Sequence, residues 1–304
     1  MQRGVWRRLT KKSWRQAVDS LRLDSPKLSI GLLSGLFGKT REGYYSVSKA
    51  KRSQRTLKED TIVKAVKDIR AEAPRIGILK LLYMLADVYP DLMIGRDKFY
   101  KLMHKHHLML KPSRCRHTTN SNHNYFKYKN LVKGMILTRP GQLWVADITY
   151  IDTEDGVVYL HLITDAYTHE IVGWEISDSL QAIHTLAALD MAIGQAKGMD
   201  LSLLTHHSDR GSQYCCNAYV ARLNEIQASI SMTEDYKPTD NAIAERVNGI
   251  IKEEWIYHMN RPKDLEDARR IITDIIDFYN NRRPHMSNNM LTPAQMRRKS
   301  ENVA

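Results

Sequence analysis

The stretch Leu143-Trp144-Val145-Ala146-Asp147-Ile148-Thr149-Tyr150-Ile151 reads as a buried β-strand with one acid set into its middle. β-Branched and aromatic residues dominate it, as strands prefer. A carboxylate in such surroundings carries a heavy desolvation penalty, so it calls for a metal, a cation or an opening to solvent. Taken alone, Asp147 also fits an edge-strand aspartate. Working outward, Val157–Thr164 forms a second β-rich run after the turn Asp152-Thr153-Glu154-Asp155-Gly156, and Glu170–Ile176 a third. A helical stretch over Gln181–Ala196 follows, then a strand at Leu203–His207, a short helix at Ala218–Ile226 and a strand at Ser229–Thr233. Another helix opens near Asp240. Three antiparallel strands followed by alternating helices and strands predict a mixed α/β sheet.

Two more acids are drawn toward Asp147 by this order. Asp209 lies just past a strand, in His206-His207-Ser208-Asp209-Arg210-Gly211-Ser212-Gln213-Tyr214, and strand ends in α/β sheets are where ligands sit. On its own it also reads as a turn residue capping the next helix. Glu245 stands on the helix opening near Asp240. At about 100° per residue, Asn241, Glu245, Asn248 and Lys252 fall in one polar stripe, with Ile243, Val247, Ile250 and Ile251 opposite. The stripe is expected to face outward over the sheet edge, and a solvated face is its plainest reading. Together, three carboxylates suit two-metal phosphoryl chemistry, because hard oxygen ligands fit two Mg²⁺ (or Mn²⁺) ions. Asp165, Glu170 and Asp178 are assigned to loops or caps, and Trp144, Trp174 and Trp255 to the core.

The rest of the chain supplies charge. Of 304 residues, the first 140 hold 31 Lys and Arg against 10 Asp and Glu; residues 141–304 hold 15 against 24. A basic front half beside an acidic back half points to a polyanionic partner, most simply nucleic acid. Residues 1–55 are basic and broken by Gly31, Gly35, Gly38 and Gly43. Thr56 and Glu59 have capping-box spacing, and Ile62, Val63, Val66 and Ile69 then repeat at helical intervals up to Pro74. Ile76–Val88 predicts a second helix and Lys98–His107 a third, with Lys98, Lys101 and Lys105 as candidate DNA contacts. The three helices over 56–110 resemble a helix-turn-helix module, and a generic bundle fits them equally. Residues 111–141 read as a basic linker. His104, His106, His107, Cys115 and His117 make no zinc site, because no second cysteine completes one. The three cysteines form no disulfide framework, and with no apolar run long enough to span a bilayer a cytoplasmic protein without a membrane partner is expected.

The segments Trp144–Tyr150, His207–Tyr214 and Asp240–Glu245 resemble the three motif blocks of the DDE integrase-type transposases. The likeness is strongest to the B-frame proteins of bacterial insertion-sequence family three, cousins of retroviral integrases. Residues 210–244 place 35 positions between Asp209 and Glu245, the spacing of that family's second and third carboxylates. Lys252 matches its basic position at the transposon end, and Asn241 and Asn248 of the same stripe are expected on DNA beside it. Tyr279-Asn280-Asn281-Arg282-Arg283-Pro284-His285, followed by Leu291-Thr292-Pro293, resembles its C-terminal signature, with Arg282, Arg283 and His285 expected on DNA. The chain departs from many relatives in the loop before Asp240, where Pro238 replaces a Ser/Gly-rich run.

The resemblance implies a ribonuclease-H-like catalytic core over 142–258, a helical tail over 259–304, and catalysis and metal binding by Asp147, Asp209 and Glu245. It implies a DDE polynucleotidyl transferase that cleaves transposon ends and joins them to target DNA, working as a homo-multimer in the bacterial nucleoid. An upstream-frame transposase partner is implied as well, because this chain shows no leucine-zipper heptads of its own. Two rivals stand beside it: a nuclease of the same fold that does not join strands, and a DNA-binding regulator with a degenerate core.

Overall fold

The computed structural model describes residues 11–45, 49–92, 94–110, 125–196, 198–234 and 241–301. The chain divides into two compact units, 1–61 and 62–304. In the first lie α1 (Lys11–Asp24), α2 (Ile30–Gly35) and α3 (Arg41–Tyr45), with Ser25-Pro26 following α1 and Gly38, at φ 65°, separating α2 from α3. Trp14, Val18 and Leu33 are its small core.

Helix α4 runs from Lys49 to Glu72, so the start expected at Thr56 is overturned. A capping box acts only where the preceding chain leaves the helix. Residues 49–55 hold no glycine or proline to force that exit, and Arg55 pairs with Glu59 at 2.9 Å one turn on. Pro74 does end the helix as expected, and α5 (Ile78–Val88) and α6 (Arg96–Lys105) follow. Ile78, Leu81, Leu82 and Leu85 of α5 are buried, as their spacing predicted.

The second unit is built on five strands: β1 (Leu143–Asp152), β2 (Val157–Asp165), β3 (Ile171–Ser177), β4 (Thr205–Ser208) and β5 (Ser229–Met232). Their order is β3-β2-β1-β4-β5. The first three pair antiparallel, and β1–β4 and β4–β5 pair parallel. This is the mixed sheet expected, in ribonuclease-H-like order. Helix α7 (Ala182–Gln195) crosses back to β4, α8 (Ser212–Cys215) and α9 (Asn217–Glu225) lead to β5, and α10 (Ala242–Glu254), α11 (Leu265–Asn281) and α12 (Pro293–Glu301) close the chain.

Strand period sorts the two faces. Trp144, Ala146 and Ile163 pack under α7 and α9 with Ala188, Leu189, Ala192 and Tyr219. Val158, Leu160, Leu162 and Ile176 face the other way, onto α10 and α11. That second core continues without a break into Ile62, Val66, Leu81 and Phe99 of the helical module. The module expected as a separate domain over 56–110 therefore shares a core with the sheet. The supposed linker also does more than link. Its described part, 125–141, packs Val132, Met135 and Leu137 against Leu143 and Val145, and Leu131 N–H donates to Ser231 Oγ at 2.8 Å. Residues 111–124, with Cys115 and His117, lie outside the described residues, as do Pro238 and Asp240.

Two sequence features fall into place as local devices. Asp165, at the end of β2, accepts from the N–H groups of Gly141 (2.7 Å), Tyr167 and Thr168, tying the β2–β3 turn to the start of β1. In Leu291-Thr292-Pro293, Thr292 caps α12: Gln295 N–H donates to Thr292 Oγ1 and Thr292 N–H to Gln295 Oε1 at 2.9 Å, with proline at the first helical position.

Gly173 of β3 sets how closely α7 can lie on the sheet. A Cβ there would stand 2.2 Å from Ala188 O and 2.8 Å from Ala192 Cβ. Backbone cannot yield as a flexible side chain does, so Gly173→Ala is expected to destabilise the protein by about 2–3 kcal/mol, measured by urea denaturation.

Candidate functional site

Asp147 belongs to the face of β1 that carries Val145, Thr149 and Ile151, the face covered by α10. Strand β1 is central in the sheet, which removes the edge-strand reading of this acid. Its parallel pairing with β4 covers only Leu143–Val145, so Asp147 stands just beyond the point where β4 ends. There the chain turns at Ser208-Asp209, and Asp209 Oδ1 accepts from Gly211 N–H at 2.9 Å. A Cβ at residue 211 would lie 2.9 Å from that same oxygen. Glycine there leaves room for the Asp209 carboxylate.

Helix α10 meets β1 with its polar stripe, and here the structure corrects the sequence reading. Asn241 and Asn248 are each 6% exposed and point at the strand, not at solvent. Asn241 Nδ2 donates to Ala146 O at 3.0 Å, and Asn248 Nδ2 to Asp147 Oδ2 at 2.7 Å. Buried carboxamides need partners, and an exposed-face assignment overlooks that β1 offers a carbonyl and a carboxylate at the right height. Glu245, on the same stripe, is exposed. Lys252 Nζ lies 4.0 Å over the Tyr150 ring, a cation–π contact no sequence signal announced.

Electrostatics join the three acids. Asp147 is pushed up to about 7, first by burial, then by the charge of Asp209 and more weakly by that of Glu245; the hydrogen bonds from Asn248 and Ile148 N–H pull the other way. Tyr214 is buried within electrostatic range of both acids, and its hydroxyl is driven well above the usual range by burial and by Asp209 and Asp147. Its hydroxyl, Asn241 Oδ1 and Asn248 Oδ1 have no hydrogen-bond partner among the described residues. Buried orphans of this kind around two repelling carboxylates fit a hydrated hard cation, whose charge would relieve Asp147 and whose water would engage the orphans. Among the described residues, however, no three His, Cys, Asp or Glu side chains form a ready metal-binding group. Glu245 is brought within electrostatic range of the pair without joining it.

The basic residues divide sharply. Lys98, Lys101 and Lys105 are exposed along α6, while Phe99, Leu102 and Met103 bury its other side. Arg282 is partly exposed, paired with Glu72 and laid over the Phe278 ring. Arg283 is 1% exposed and His285 5%. Both are enclosed by protein, so a phosphate has no route to them, and the DNA role expected for them is withdrawn. Burial and the Arg283 charge hold His285 down to about 2, a neutral ring.

Comparison with known proteins follows from this geometry. Residues 138–238 match a family model described as an integrase core domain, and residues 226–293 match a second model of the same description. The insertion element IS600 uncharacterized 31 kDa protein of Shigella sonnei is 33% identical over 273 residues, covering 88% of this chain and 98% of that protein. The transposase for insertion sequence element IS629 of Shigella sonnei is 33% identical over 238 residues, 77% of each chain. Transposase InsF for insertion sequence IS3A of Escherichia coli K12 is 32% identical over 162 residues, 53% of this chain and 55% of that one.

The raised Asp147 carries a stability signature. Its folded value of about 7 exceeds the ordinary 3.8, so its contribution is fully present below about pH 4 and lost as pH rises through 7. In EDTA, Asp147→Asn is therefore expected to be more stable than the parent by about 4 kcal/mol at pH 8 and close to it near pH 4, read by chemical denaturation at both.

Proposed function

The chain belongs to the integrase-core transposases of bacterial insertion-sequence family three, and from that premise we propose that Asp147, Asp209 and Glu245 are the catalytic carboxylates of its polynucleotidyl transfer. The observation that carries the reading is Asp147 itself. It is an acid on a central strand, raised toward neutrality by burial first, then by Asp209 and more weakly by Glu245, and held by Asn248. A carboxylate kept in that position at such cost is explained by chemistry, not by folding.

Asp147 and Asp209 would hold divalent metal, Mg²⁺ or Mn²⁺, with Glu245 completing the set from α10. The pair of ions supplies charge stabilisation for the attacking and leaving oxygens of the phosphodiester. The chain's own groups do the rest. Asn248 holds Asp147 Oδ2 and the Ile148 N–H holds its Oδ1, so the carboxylate is fixed in orientation. Asn241 locks the first turn of α10 onto β1 beside it. In the first reaction a water oxygen attacks the phosphorus at the transposon end, and the P–O3′ bond breaks to leave a 3′-hydroxyl. In the second, that 3′-hydroxyl attacks a target phosphate, forming one P–O bond as another breaks, so no net bond energy is needed.

DNA is the partner this reading requires. The exposed Lys98, Lys101 and Lys105 supply a cationic face on α6, and Lys252 a cation near the carboxylates. A homo-multimer bridging two transposon ends, and an upstream-frame partner, follow from the same family logic.

With end-sequence oligonucleotides and Mn²⁺, Asp147→Asn, Asp209→Asn and Glu245→Gln should each lower nicking and joining at least about 100-fold with DNA binding retained. Nicking that persists at the parent rate in all three refutes the assignment. Joined products, not nicks alone, separate a transposase from a nuclease. The triple change Lys98→Ala, Lys101→Ala, Lys105→Ala should weaken end binding and flatten its log–log salt dependence by about 2–3 units, measured by fluorescence anisotropy.

A further inference from the structure

The segment Tyr279–His285 looks outward in sequence and is turned inward in the fold. Arg283 grips the carboxylate of Glu254, at the last turn of α10, with two parallel bonds: Nε to Oε2 at 2.8 Å and Nη2 to Oε1 at 2.7 Å. Its third nitrogen donates to His285 Nε2 at 2.8 Å. Lys80 of α5 donates to the same Glu254 Oε1 at 2.8 Å. Burial pushes the Glu254 carboxyl upward, but the Arg283 and Lys80 charges outweigh it and hold the group below its ordinary range.

The neighbouring bonds point the same way. Arg75 N–H donates to Glu254 O at 3.1 Å, and the Trp255 indole N–H to Glu72 O at 2.9 Å. Two residues before Arg282, Asn280 both donates to Ile171 O and accepts from Ile171 N–H, each at 2.9 Å, the pattern of one extra strand residue laid beside β3. One short segment thus holds the start of β3 directly, the end of α10 directly, and α5 through the carboxylate it shares with α10.

Glu254 lies nine residues, about 13–14 Å, along α10 from Glu245. A buried ionic cluster is a poor way to gain stability, since well-packed apolar replacements do as well or better. Its distinguishing property is direction: forked bonds accept one register, where apolar contacts accept several.

We propose that Lys80, Glu254 and Arg283 form a positioning clamp that fixes the register of α10, and so the place of Glu245, against the sheet and the helical module. They are positioning residues, and the clamp rests on the reading of Glu245 as catalytic. The C-terminal signature then serves the reaction through protein, not through DNA.

The test replaces the cluster by apolar side chains in the full chain, as Lys80→Met, Glu254→Met and Arg283→Met together. The expected result is a melting temperature equal to or above the parent's, end-DNA affinity within about 2-fold, at least a 10-fold slower nicking rate at saturating DNA, a higher Mn²⁺ concentration for half-maximal rate, and faster hydrogen exchange over Ala242–Asn248. Arg283→Lys, which keeps the charge and loses the fork, should show the same losses in milder form, and stands in if the triple variant does not fold. A stable variant with parental rate, Mn²⁺ requirement and exchange overturns the clamp. Glu245→Gln is run beside it: loss there with none in the clamp variants overturns the clamp alone, whereas no loss in Glu245→Gln overturns the catalytic reading on which the clamp rests.

Discussion

A carboxylate on the inner face of a central strand is a structural problem before it is a catalytic group. Asp147 pairs with Leu162 across β2, and on the other side it has outlived its parallel neighbour β4. Everything placed around it answers that problem. Asn248 reaches down from α10 to one of its oxygens, Asn241 takes the carbonyl next to it, and Gly211 leaves room for the Asp209 carboxylate. These contacts do not cancel the charge of Asp209 on Asp147, which with burial raises the affinity of Asp147 for a proton. The fold thus gathers carboxylates at the end of its strands, the kind of group phosphoryl transfer uses.

Helix α10 is the element through which this site is adjusted. Val247, Ile250 and Ile251 seat it on a core that also includes Leu160 and Ile176 of the sheet, Ile272 and Ile276 of α11, and Leu81 of α5. Burying each such side chain contributes about 1.5–3 kcal/mol, enough to hold the helix down but not to choose its rotation. Choice comes from polar groups along it: Asn241 at its start, Asn248 at its middle and Glu254 at its last turn. The helix is therefore held like a bar with a fitting at each end, and Glu245 sits between the fittings.

Much of this was legible in the sequence. Strands β1, β2 and β3 and helices α5 and α7 announce themselves because their period and punctuation agree with their packing, and their ends fall within a residue or two of expectation. The three acids were legible from their positions relative to strands and from a 35-residue spacing. What failed failed for physical reasons. Thr56 and Glu59 have the letters of a cap but not the break that makes one. The stripe Asn241–Lys252 is polar in composition, yet two of its members are buried because their partners lie 95 and 101 residues away. Arg283 looked like a phosphate ligand for want of any sign that Lys80, 174 residues before Glu254, shares its counter-ion. The three-helix pattern suggested a domain ending near 110, but the core beneath the helices runs on into the sheet.

The shared core has a consequence for what can be separated from what. Cutting after residue 258 would strip α11 from Trp255, which packs edge-on against Phe278 at 5.9 Å, and from Ile250 and Ile251, leaving an oily flank where the catalytic helix should be seated. Cutting before residue 142 would uncover the same flank from the opposite side. The matched integrase-core region thus lies inside a larger compact unit, residues 62–304, whose apolar core it shares with the helices before and after it. Recombination between relatives that exchanges only the sheet would inherit the chemistry and lose the frame that aims it.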